Sequence, residues 1–142
     1  MLKLWLSREY VARFHEYPKR WLCEICRCRH DSGFITSFIA ELDGTPFAYC
    51  MYYDCFVGQK YGDEIMADTP GTVFSIDELI GEPAFLNHGY GTAMCGMLVE
   101  KVRGIPTAKE IYAGTEPDNI AAQKTLTANG FFKDGEYYKI LL

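Results

Sequence analysis

No apolar run in this chain approaches the roughly 20 residues that a helix needs to cross a bilayer, so no membrane-spanning helix is expected. The opening MLKLWLSREY lacks the unbroken apolar core and cleavage site of a signal peptide, and the chain is expected to open on a helix without a leader. There is no basic patch. The net charge of -5 disfavours nonspecific nucleic-acid binding and suits a cationic or neutral small partner. Repeats, linkers and low-complexity segments are also missing. With 142 residues the chain is too short for two domains and long enough for one with a proper core, so a single domain over residues 1–142 is expected. A composition of 49% hydrophobic and 23% charged residues is that of an ordinary globular protein.

Six cysteines are present: Cys23, Cys26, Cys28, Cys50, Cys55 and Cys95. In a chain without a leader they are expected in the reducing cytoplasm, as small apolar fillers or thiols rather than disulfides. Cys23-x-x-Cys26-x-Cys28-x-His30 offers four zinc ligands of acceptable type, but its spacing is too compressed for a standard finger. A buried helix face is the expected setting and no metal site is assigned.

Along the chain, Leu4, Trp5, Tyr10, Val11 and Phe14 recur at helical intervals, and Pro18 discourages continuation; one or two short helices are expected up to about His30. Asp31-Ser32-Gly33 is turn chemistry. Residues 34–42 and 46–55 read as strands joined by Asp43-Gly44, hence an antiparallel hairpin. The polar stretch 54–70 reads as a solvated loop, with an acidic rim of Asp54, Asp63, Glu64 and Asp68 as the sharper alternative. Residues 110–113 form a strand, Pro117-Asp118-Asn119 opens a helix ending at Asn129-Gly130, and a last hairpin turns at Asp134-Gly135.

The centre of the pattern is residues 72–103. Val73, Phe74, Ile76, Leu79 and Ile80 make a short strand interrupted by Asp77, an acid that a structural strand does not need. Gly89-Tyr90-Gly91-Thr92 follows, and Ala93, Met94, Met97, Leu98 and Val102 then recur at helical spacing. Glycines before a helix N-terminus suit an anion, because the backbone can approach closely and free N–H groups converge there. The glycines match neither a Walker loop nor a dinucleotide fingerprint.

Taken together, Ile76-Asp77, Ile80-Gly81-Glu82-Pro83, His88-Gly89-Tyr90-Gly91-Thr92, Asn119-x-x-Ala122 and Asn129-Gly130-Phe131 resemble the GNAT acetyltransferases. The resemblance covers nearly the whole chain. It is closest to the aminoglycoside N-acetyltransferases acting on the 6′-amino group and to siderophore-type N-acyltransferases. It implies a mixed α/β (α+β) fold, with a central, mostly antiparallel twisted sheet flanked by helices and parted near Asp77; the family's usual first strand is missing. The outer edge of strand 34–42 is then left unpaired, which raises the expectation of a homodimer.

The same resemblance implies acetyl-CoA as cofactor, its pyrophosphate on the backbone of His88, Gly89, Tyr90, Gly91 and Thr92, with Leu79, Ile80, Asn119, Ala122 and Leu126 as further cofactor-binding positions. It implies a small amine as acceptor, with Asp77 as anchor and base and Tyr53 and Glu116 as further substrate contacts. Glu78, facing opposite Asp77 on a strand, and Glu82, in a turn, are weaker candidates. Cys95 lies inside the helix, where a structural role is expected. Two positions depart from the family. Leu126 stands where a Tyr usually acts as general acid, and Gly114 stands where the aminoglycoside enzymes often have an acid, leaving Glu116 and Asp118 as substitutes. The alternative from another class is a GNAT-like module that binds acyl-CoA without turnover: Leu126 favours it and Asp77 opposes it.

Overall fold

The structure, a computed structural model, describes residues 1–15, 18–27 and 34–142. Its frame is a six-stranded sheet in the order β1-β2-β3-β4-β6-β5. β1 (Ile35–Leu42) and β2 (Thr45–Asp54) form the expected antiparallel hairpin. Asp43 and Gly44 turn it with φ of 51° and 76°, the left-handed pair that matches the twist of the two strands. β3 (Val73–Ile80) runs antiparallel to β2, whereas β4 (Glu110–Gly114) lies parallel to β3. β6 (Tyr137–Leu141) and β5 (Phe132–Asp134) complete the sheet by antiparallel pairing. The sheet is thus mostly antiparallel, and β1 is an edge; among the described residues no strand pairs with its outer side.

Side-chain alternation along β3 divides the molecule into two layers. Phe74 and Ile76 face α5 (Tyr90–Arg103) and α6 (Ile120–Ala128), where Leu98, Val102 and Leu126 fill the main core. The buried positions of α5, Met94, Cys95, Leu98, Val99 and Val102, form one stripe of a helix surface, which is why that helix lies flat on the sheet. Leu79 points the other way. With Tyr49 and Met51 it meets Trp5, Leu6, Val11 and Ile25 from α1 (Leu2–Leu6), α2 (Glu9–Ala12) and α3 (Pro18–Arg27). Among the described residues no helix is long and apolar enough to cross a membrane.

Four expectations need correction or fall away. The N-terminal part holds three short helices rather than one or two, because Pro18 begins α3: proline lacks only an N–H that the first turn does not use. Cys23 and Cys26 are exposed on α3, not on a buried face. Cys28, His30 and the turn at residues 31–33 lie outside the described residues; among those described, no three potential metal ligands gather. Residues 54–70 are more than a loop. They form α4 (Cys55–Gly58) and a 3-10 turn, and they bury Cys55, Ile65 and Ala67. Their acids serve the local backbone: Asp54 accepts from the Phe56 and Gly71 N–H groups (3.0 and 2.8 Å), and Asp63 from Ile65 (3.2 Å).

The far end of β3 is fastened to the N-terminal helices. Trp5, 1% exposed, lies so close over Gly81 that a Cβ there would stand 2.0 Å from the indole ring. The indole N–H donates to Glu82 Oε1 (2.7 Å), Arg8 pairs with Glu82 Oε2 (2.8 Å), and the Tyr10 hydroxyl donates to the Gly81 carbonyl (2.7 Å). Only glycine fits under that ring. Gly81→Ala is expected to displace Trp5 and cost about 3 kcal/mol, the upper range for overpacking a tight site. A thermal melt and the tryptophan emission maximum check it: an unchanged melting point would show that the indole is not pressed on Gly81.

Candidate active site

β3 and β4 pair only from Val73–Glu110 to Ser75–Tyr112. Beyond Ser75, β3 continues alone along β2 as far as Ile80. The parting opens a cleft of about 640 Å³ whose walls come from six parts of the chain, Cys95 of α5 among them. β3 contributes Ile76, Asp77 and Glu78, and the segment after α2 adds Phe14 and His15. The end of β4 leads into Thr115 and Glu116, α6 presents Ala122, Thr125 and Leu126, and the β5–β6 hairpin adds Lys133 and Tyr138.

Asp77 faces the α1–α3 layer. Burial pushes its carboxyl above the usual range, and the charge of His15 and the Glu78 N–H, which donates to Asp77 Oδ1 at 2.7 Å, pull it back only in part. That shift answers an objection raised by the residue type. An ordinary aspartate, with a pKa of about 3.9, is a poor base for an amine, and a raised one is better matched.

Glu78 points to the opposite face, as alternation requires, yet it also lines the cleft. Burial first, and then the charge of Asp77, push its carboxyl up to about 8. Its Oε2 is buried without a hydrogen-bond partner, as is Thr115 Oγ1 on the β4 side. Orphaned buried atoms are costly, and two of the five among the described residues belong to side chains that line this cleft.

The N-terminus of α5 forms the adjoining rim. Its N-cap is Gly89, with φ 81° and no side-chain cap, so the first N–H groups of a 14-residue helix stay available to an anion. At Gly91 a Cβ would meet only Thr125 Oγ1 at 3.5 Å and Glu78 Oε1 at 3.7 Å. These features fit a pyrophosphate, which needs backbone donors and close approach rather than a cationic side chain.

The other expected site residues are distributed as follows. Asp77, Glu116, Asn119, Ala122 and Leu126 come together on the cleft. Asn119 also caps α6, its side chain accepting from the Ala122 N–H at 3.2 Å. His88 is exposed beside the α5 terminus, its ring Nδ1 donating to the Leu86 carbonyl (2.7 Å), and Tyr90 packs on Phe47 and Phe85. Thr92 is exposed in the first turn. Leu79 and Ile80 turn their side chains into other clusters, so only their backbone can serve the cleft. Tyr53 lies away from it, packed with Cys55 and Ile65, while Asp118 is paired with Arg13 at 2.6 Å. Cys95 lines the cleft, but burial, followed by the charge of Glu78, pushes its thiol up to about 12, which suits a structural thiol and not a nucleophile. Glu78, His15, Thr115 and Thr125 were not picked out as site residues from the sequence. For Glu78 the signal was present, a second acid in the same strand; for His15 and the threonines no local signal marks them.

Comparison with known proteins identifies the family and the fold. Aminoglycoside N(6')-acetyltransferase type 1 of Klebsiella pneumoniae is 29% identical over 95% of this chain and 69% of that protein, and the Serratia marcescens enzyme gives the same figures. Among solved structures, aminoglycoside acetyltransferase AAC(6')-Ib in complex with coenzyme A and kanamycin superposes with a TM-score of 0.77 at 24% identity, covering 99% of this chain and 87% of that one. The same enzyme with ribostamycin and coenzyme A gives 0.78 at 23% identity, over 99% and 86%. At those identities the structures establish a shared fold. The family model described as "Acetyltransferase (GNAT) domain" matches residues 1–138, nearly the whole length, and the chain therefore belongs to the GNAT acetyltransferases.

Proposed function

We propose that the chain is one acetyltransferase domain that moves the acetyl group of acetyl-CoA to a primary amine of a small cationic, aminoglycoside-like acceptor by direct attack. The observation that carries this reading is the parting of β3 from β4, which leaves Asp77 in a cleft whose rim is the bare N-terminus of α5. When bound, acetyl-CoA supplies an activated thioester. The N–H groups of residues 89–92 hold the pyrophosphate, and the edge of β3 beyond Ser75, which β4 does not use, offers backbone to the pantetheine arm and the thioester oxygen. Asp77 attracts the acceptor ammonium, and with its raised affinity for protons it takes the proton that the nitrogen must lose. Glu116, on the opposite wall, is placed to hold a second cationic group of the acceptor. The relatives named for aminoglycosides support this acceptor class, and so does the net charge of -5. Five free thiols among the described residues suit a cytoplasmic setting. A homodimer along the open β1 edge belongs to the same proposal, and light scattering that finds only monomer at high concentration removes it.

Leu126, buried on α6 with no proton to give, favours a second reading in which the domain binds acyl-CoA without turnover. Isothermal titration with acetyl-CoA tests both readings, since each requires saturable binding and neither survives its absence at millimolar ligand. Thiol release measured against a panel of aminoglycosides, polyamines and lysine derivatives then separates enzyme from sensor. In the active pair Asp77→Asn is expected to lower kcat by about 100-fold or more, the usual contribution of a positioned acid or base, with acetyl-CoA affinity retained. An unchanged rate would refute the role given to Asp77.

A further inference from the structure

The Glu78 side chain brings a second carboxyl to the cleft, on the side away from Asp77, and no structural contact accounts for it. It sits on the face of Ile76, over the core that joins α5 and α6, and shares the cleft wall with Cys95, Thr125 and Leu126. Its Oε1 lies 3.7 Å from where a Gly91 Cβ would stand, and Thr125 Oγ1 lies 3.5 Å from the same point. The carboxyl is therefore lodged between the first turn of α5 and the middle of α6. Its second oxygen, Oε2, is buried and unpartnered.

The groups around it do not favour a carboxylate. Asp77 is its neighbour on β3 and is negative when ionised; Cys50 faces it from β2, Cys95 from α5 and Thr125 from α6. Of the two cations of α5, Lys101 has its Nζ over the Phe38 ring at 4.6 Å and Arg103 is paired with Glu100. His15 and Lys133 line the same cleft, but among the described residues no cation pairs with Glu78, and burial favours the protonated carboxyl near neutral pH. An acid that is neutral, buried and unpartnered beside an anion-binding helix end is built to give a proton to something that enters the cleft.

We propose that Glu78, whose carboxyl lines the cleft beside the first turn of α5, is the proton donor of the transfer, giving its proton to the sulfur that leaves the acetyl carbon. This rests on the acetyl-CoA reading above. The acceptor ammonium first gives one proton through Asp77 to water, and as the resulting amine nitrogen bonds to the acetyl carbon Asp77 takes its second proton and passes that to water as well. The carbon–sulfur bond breaks with its electron pair on sulfur, and Glu78 protonates that sulfur, releasing a thiol. Glu78, left as a carboxylate, regains its proton from solvent when the thiol departs. A thiol of pKa about 8.5 and an acid raised to about 8 are closely matched, so the transfer needs little driving force. Leu126 then carries no proton because none is asked of it.

Infrared difference spectroscopy on the full chain tests the assignment without turnover. The carbonyl stretch of a neutral carboxylic acid is expected, fading as pH rises through about 8 and missing from Glu78→Gln. The comparison with Glu78→Gln separates this band from any contributed by Asp77. Coenzyme A is expected to shift the band, and desulfo-coenzyme A, which lacks the sulfur, to leave it in place. In the thiol-release assay Glu78→Gln is expected to lose about 100-fold in kcat with the KM for acetyl-CoA within about threefold, and Glu78→Asp to recover part of the loss. A band unchanged in Glu78→Gln, or an equal response to both nucleotides when calorimetry shows both bound, overturns the Glu78 assignment and leaves the acetyltransferase reading standing. Failure of coenzyme A to bind overturns both. If Glu78→Gln does not fold, the wild-type comparison of the two nucleotides decides alone.

Discussion

The clamp of the N-terminal helices on the end of β3 is the constraint on which the cleft depends. Trp5 over Gly81, the Trp5 and Arg8 contacts to Glu82 and the Tyr10 bond to Gly81 hold that end to one layer. The Gly81 and Glu82 N–H groups both donate to the Phe47 carbonyl, which ties the same point to β2 (2.8 and 3.0 Å). β4, meanwhile, stays in register with β6 all the way to Gly114. Two parallel strands held at their outer ends by different partners keep only three residue pairs between them. The donors around Glu82, the Trp5 indole first, also hold its carboxyl below the usual range, so this acid is spent on the clamp and takes no part in the cleft.

That parting lets two adjacent residues of one strand share a site from opposite faces. In a closed sheet, Asp77 and Glu78 would be separated by the sheet itself. At an open edge both reach the same space, one from the α1–α3 layer and one from the α5–α6 layer. Burial raises both carboxyls; His15 and the Glu78 N–H pull Asp77 back in part, whereas the charge of Asp77 pushes Glu78 further up. The same burial keeps Cys95 a thiol, so a nucleophilic cysteine is not among the options of this site.

Much of this architecture is legible in the residues because it is local. Asp43-Gly44 demands a left-handed turn pair, Gly89 leaves a helix end bare, Asn119 caps α6, and each appears where the chain pattern places it. What escapes sequence reading is long-range. Pro18 stops a helix or starts one with equal ease, and only the packing of α3 on Tyr49 and Leu79 decides. Cys23 and Cys26 look like core residues by type, yet they sit on the solvent side of α3. The acids of residues 54–70 look like a charged rim until Asp54 and Asp63 are seen bonded to backbone N–H groups nearby. Alternation correctly turns Glu78 away from Asp77, but it cannot say what lies opposite either face, and here both faces border one cleft.

Two of the orphaned polar atoms among the described residues are a cost that the cleft carries. Leaving Glu78 Oε2 and Thr115 Oγ1 without partners costs on the order of 1 to 3 kcal/mol each, a sizeable part of the 5 to 15 kcal/mol that holds a domain of this size together. A neutral acid is also the cheaper form to bury, since a charge in the same place would have to be balanced by a cation that the α5–α6 side does not provide. Under the proposed roles, a proton kept on Glu78 and an anion at the α5 N-terminus are compatible within one small core, and the open edge of β3 is what brings them together.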